Sequence, residues 1–94
     1  MITSFGDKET RKIWEGEMVR GISAELQETA RRKLRMLNNS QDIKDLQIPP
    51  SNHLEKLKGA LKDYYSIRVN NQWRIIFQWK NGHAEKARLI DYHK

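Results

Sequence analysis

The firmest restriction on the fold of this 94-residue chain is a change of period near residue 64, after which apolar side chains fall on every second position. Tyr65, Ile67 and Val69 alternate with Tyr64, Ser66 and Arg68. After Asn70-Asn71-Gln72, the residues Trp73, Ile75, Phe77 and Trp79 alternate with Arg74, Ile76, Gln78 and Lys80. A period of two belongs to a strand with one buried face. Asn81-Gly82 then marks a tight hairpin, because both residues tolerate positive φ. The pattern predicts a three-strand antiparallel meander whose last strand covers residues 84–92.

Upstream the period is helical. Residues 1–5 form a short apolar-leaning run, stopped at Gly6-Asp7, that reads as a strand. Asp7 is a helix N-cap, and two turns follow with Ile13 and Trp14 as their buried residues. Ser23 caps a longer helix in which Leu26, Ala30, Leu34 and Leu37 make one apolar stripe, while Glu25, Glu28, Arg31, Arg32 and Arg35 occupy the solvated side. A further helical turn is expected over residues 42–46. Pro49-Pro50 forbids a longer helix there, and residues 52–59 read as a polar, basic connector. Strand, two helices and meander make one α+β domain over residues 1–94, with the helices on one face of an antiparallel sheet.

Without cysteine there is neither a disulfide framework nor a thiolate metal site, so packing alone must hold the domain. No stretch approaches the ~20 apolar residues that span a bilayer, and the expectation is a soluble, cytoplasmic protein without a membrane partner. The net charge of +6 is uneven: half of the 18 Lys and Arg, but only four of the 12 acids, lie from His53 onward. Such an excess concentrates polyanions, which favours nucleic acid over a neutral metabolite.

Parity places the charges. The face with Trp73, Ile75, Phe77 and Trp79 suits the helices, so Arg74 points at solvent or ligand. A three-residue loop at Asn70-Asn71-Gln72 puts Arg68 on the same face. A two-residue turn at Asn81-Gly82 would set Lys86 opposite Phe77 and bury a charge. A three-residue loop through His83 is therefore expected, with Lys86, Arg88, Ile90 and Tyr92 beside Arg74 and with Ala87 and Leu89 inside. The result is an open, basic face with an aromatic in it, suited to phosphates and an unstacked base. The plain alternative is a set of solvated strand residues.

The tail Asp91-Tyr92-His93 comes beside Trp73-Arg74 in an antiparallel register. Arginine offers a charged fork for a phosphate, and Tyr and His can carry protons, as cleavage by a 2′-hydroxyl requires. Lys58 could add a second cation. Lone loop histidines such as His53 and His83 are as a rule inert. Asp91 and His93 without a second cluster do not make a metal site, and neither metal nor cofactor is expected.

Leu57-Lys58-Gly59, the stretch from Tyr65 to Ile75 and the terminal Asp91-Tyr92-His93 together resemble the HigB branch of the RelE-like bacterial toxins. The resemblance implies a ribosome-dependent messenger-RNA endonuclease that works without a metal in the ribosomal A site. It implies inhibition by a helix-turn-helix antitoxin of the HigA kind, with DNA met only through the antitoxin complex. By position, Arg74 corresponds to the phosphate-binding arginine, Tyr92 to the residue that stacks on the nucleotide, Asp91 and His93 to its companions, and Arg68 and Lys58 to supporting cations. Some relatives place a histidine three residues before Lys58. Here Glu55 stands there and His53 two residues earlier, so Glu55, His53, His93 or positioning by the ribosome are the alternatives for proton transfer. Two other classes fit the same architecture: a gyrase-inhibiting toxin, which would not need Tyr92 and His93 beside Arg74, and a plain RNA- or ribosome-binding module.

Overall fold

The computed structural model describes residues 1–92. Helix α1 (Lys8–Trp14) begins where Asp7 turns extended and its carboxylate accepts from the Thr10 amide at 2.8 Å. Helix α2 (Ala24–Asn39) begins in the same way at Ser23, whose hydroxyl accepts from the Leu26 amide at 3.1 Å. Both caps satisfy amides that the first helical turn leaves open. The stripe of α2 is buried as its spacing demands, and Gln27 is buried with it. That amide bonds to the Val19 N–H and to the Val19 and Ile22 carbonyls, which stitches the preceding loop onto the helix. Among the described residues no helix is long and apolar enough to cross a membrane.

The expected turn after α2 is a 3-10 turn, Ile43–Gln47, and a second one spans Pro50–Asn52. The sheet follows in the order β1 (Glu55–Lys56), β2 (Tyr65–Arg68), β3 (Trp73–Lys80), β4 (His83–Asp91), every neighbouring pair antiparallel. The fold class is as expected, with one strand more in the C-terminal half. The connector supplies β1, whose two residues are both exposed and too few to show an alternation. The N-terminal run joins the far edge of β4 through two bridges, Ile2 to Ala84 and Phe5 to Ala87, and it runs parallel.

Both helices cover one face. Ile13, Leu34, Leu37, Ile67, Ile75 and Phe77 form the centre of the core, and Trp14, Trp73 and Trp79 pack around it half-buried. The first hairpin has the expected three-residue loop, with the Val69 amide bonding to the Trp73 carbonyl at 2.9 Å and Arg68 directly across from Arg74. The second differs from expectation. Lys80 pairs with His83 across a two-residue turn, in which Asn81 and Gly82 take φ of 52° and 79°. The ladder shifts by one residue between Ile76 and Gln78, where Lys86 adopts φ of 55°. A bulge therefore does what a longer loop was expected to do. It keeps Lys86 exposed, puts Ala84 inside near the turn, and leaves Ala87 and Leu89 inside beyond it.

Asn52 ties the connector to α2. It is fully buried, donates to the Leu46 carbonyl at 3.1 Å and accepts from the Lys33 ammonium at 2.6 Å. Burial first, and Arg32 second, hold the Lys33 pKa below its ordinary value. Asn52→Ala should cost about 2 kcal/mol, because Leu46 and Lys33 lose a buried partner. In a domain of this size that is a fall in melting temperature of roughly 8–16 °C. Calorimetry checks it, and an unchanged transition would show that the anchor is dispensable.

Candidate active site

The face of the sheet turned away from the helices carries, by register, Glu55, Ser66, Arg68, Arg74, Ile76, Arg88 and Ile90. Its centre is closed rather than open. Ser66, Ile76 and Arg74 are only 0%, 1% and 8% exposed. Arg74 is thus not a solvent-facing side chain, contrary to the parity argument. Its fork is occupied: Nη1 donates to Glu55 Oε1 at 2.8 Å and Nη2 to the His53 carbonyl at 2.5 Å. The Tyr92 ring lies over the guanidinium at 5.6 Å. Arg74 Nε, also buried, meets no acceptor among the described residues.

Beside this cluster lies a cleft of about 320 Å³, lined by Glu55, Lys56, Leu57, Lys58, Leu61 and Tyr92. Arg74 stands behind Glu55 and Tyr92, and the Glu55 side chain is half in solvent at 51% exposed. Glu55 is thus the partner of the pair that reaches solvent, and Arg74 the buried one. The cleft accordingly offers a cation, Lys58, a carboxylate, an aromatic ring, and behind them a guanidinium with one donor unused. Among the described residues no three of His, Asp and Glu are grouped to hold a metal.

The sequence of this α+β domain matches over residues 3–93 the family described as RelE-like toxin of type II toxin-antitoxin system HigB. The chain belongs to that family. Toxin HigB-1 of Vibrio cholerae is 42% identical over 95 residues, which covers 100% of this chain and 99% of that protein. Endoribonuclease HigB of Proteus vulgaris is 32% identical over 93 residues, covering 99% and 100%. The YoeB–YefM complex from Staphylococcus aureus superposes with a TM-score of 0.63 at 17% identity, over 100% of this chain and 99% of the other. YafQ from E. coli gives 0.57 at 15% identity, over 97% and 93%. At these identities the two structures speak for the fold alone.

The HigB fold gathers some of the residues singled out from sequence and separates others. Glu55, Lys58, Arg74 and Tyr92 come together. Arg68 lies across from Arg74, but its guanidinium is folded onto the Asn70 carbonyl and the Asn71 amide oxygen. His53 offers its carbonyl while its side chain is exposed. Arg88 turns to the sheet edge, 3.6 Å from Asp7, and Lys86 sits in the bulge with its amide on Ser4 Oγ. Neither lines the cleft. Asp91 is exposed opposite Trp73, on the alternate parity from Arg74. His93 lies outside the described residues. Leu57 and Leu61 also line the cleft and were not expected there, although two leucines in an otherwise polar stretch signal that a surface is being covered.

Because Arg74 is packed, Arg74→Ala should lower stability by about 1–2 kcal/mol as the His53 carbonyl loses its donor. The cost should show in a urea titration. A midpoint equal to that of the parent would mean that the arginine lies outside the packed sheet.

Proposed function

We propose that this chain is a ribosome-dependent messenger-RNA endonuclease that cuts without a metal, stops translation, and is neutralised by a helix-turn-helix antitoxin of the HigA kind. The observation that carries the reading is Arg74, a buried fork closed by a half-exposed carboxylate, roofed by an aromatic ring and left with a free donor. A phosphodiester satisfies each of these features. Its oxygens replace the Glu55 carboxylate on Nη1 and reach Nε, a charge-assisted contact that strengthens as negative charge builds on phosphorus. Lys58 supplies a second cation from the cleft wall, and the Tyr92 ring stacks on the adjoining base.

The carboxylate displaced from Arg74 is then the base nearest the ribose. Glu55 takes the proton of the 2′-hydroxyl, the 2′-oxygen bonds to phosphorus, and the bond from phosphorus to the 5′-oxygen breaks. The products are a 2′,3′-cyclic phosphate and a 5′-hydroxyl, the latter taking its proton from His93. His53 is the weaker candidate for the base, since it meets Arg74 through its carbonyl. The RelE-like fold and the name borne by the Proteus vulgaris relative support this reading, and the A site is where the ribosome would fix the RNA so that few protein groups suffice.

Glu55→Gln keeps a hydrogen bond to Arg74 but cannot accept the proton. It should reduce messenger-RNA cleavage by ~10²-fold or more in primer extension with ribosomes. A parental rate would remove Glu55 as the base. In the same reactions Tyr92→Phe should retain most of the cleavage and Tyr92→Ala little, because a ring without its hydroxyl still stacks. Equal losses in both would move the role of Tyr92 to its hydroxyl.

A further inference from the structure

The last ladder pair of the sheet is Trp73 with Asp91, so Tyr92 lies one residue past the ladder. A chain at that point ordinarily frays. Among the described residues Gln72, in the loop before β3, makes two hydrogen bonds to this segment. The Tyr92 amide donates to the Gln72 carbonyl at 2.6 Å, and Gln72 Nε2 donates to Asp91 Oδ2 at 3.0 Å. Gln72 is itself fixed, since Asn70 Oδ1 accepts from the amides of Gln72 and Trp73, each at 2.8 Å. Yet Gln72 is exposed and lines no part of the cleft. Its side chain contributes little to packing and faces a carboxylate from the one segment that delivers Tyr92.

We propose that Gln72 is a positioning residue: by clamping Asp91 it sets the Tyr92 ring over Arg74. The proposal rests on the reading of Tyr92 as a nucleotide contact. On that reading the other cations of the basic surface carry association, so loss of the clamp lowers kcat and leaves KM for the ribosome–messenger complex unchanged. A ring displaced by about 1 Å can cost up to ~10²-fold, and Gln72→Ala, which retains the backbone bond, should lose about 10-fold in kcat.

Three measurements separate this from general loop stabilisation. In an Asp91→Ala background, Gln72→Ala should have no further effect on kcat, as groups that act through one contact are non-additive. Gln72→Glu sets two carboxylates against each other. Its rate relative to the parent should therefore rise as the pH falls from 8 to about 5 and one of them takes a proton that restores the bond. The Arg74 Nε–H resonance, which lies near the Tyr92 ring, should shift in the same direction in Gln72→Ala and in Tyr92→Leu. An additive loss in the double variant, a flat relative pH profile, or an unmoved Arg74 resonance would each overturn the clamp. The resonance reads the clamp even if the parent cuts no RNA, an outcome that would defeat the nuclease reading instead.

Discussion

Lys86 sits at φ of 55°, where side chains other than glycine are uncommon, and the site exists because it is held there. The Asn81-Gly82 turn fixes one parity for β4 and the core requires the other farther along. One extra residue in β4 reconciles them. Ala84 faces inward next to the turn, Ala87 and Leu89 face inward beyond it, and the strand delivers Tyr92 to the face of Arg74. Without the bulge every side chain after it would change faces. The N-terminal run keeps step, because its bridges to Ala84 and Ala87 span the bulge and Ser4 Oγ accepts from the amide of Lys86. The amide that the bulge would orphan is thereby satisfied.

With the register set, two arginines lie directly across from each other at Arg68 and Arg74, an arrangement that repels. They are drawn apart. Arg68 folds onto the hairpin loop, and Arg74 turns to Glu55 and the His53 carbonyl. Only the pairing of β1 with β2 brings that carboxylate within reach, so a strand of two residues decides whether the buried guanidinium has a counter-ion. The carboxylate is half in water, so the phosphate site proposed here is closed by a partner that reaches solvent.

Much of this was legible in the residues themselves. The caps at Asp7 and Ser23, the stripe of α2, β2, β3 and the three-residue first hairpin all follow from period and turn chemistry, and so does the convergence of Arg74 with Tyr92. The family could be read from the stretch around Arg74 together with Asp91-Tyr92-His93. The failures have separate causes. β1 is too short to carry a period, and the longer second loop was inferred from the cost of burying Lys86 without allowing for a bulge, which removes that cost at the price of one strained residue.

The sequence by itself determined the two helices, β2 and β3, and the face of each that meets the core, because periodicity and capping are relations between residues a few positions apart. Only the tertiary structure decided where the polar groups find partners. Arg74 meets Glu55, and Lys33 meets Asn52, each across 19 residues of chain, and Gln72 reaches Asp91 across the same separation. No local pattern encodes such meetings. They are imposed because a charge or amide drawn out of water must be paired, and the partner is whichever group the folded chain carries back to it.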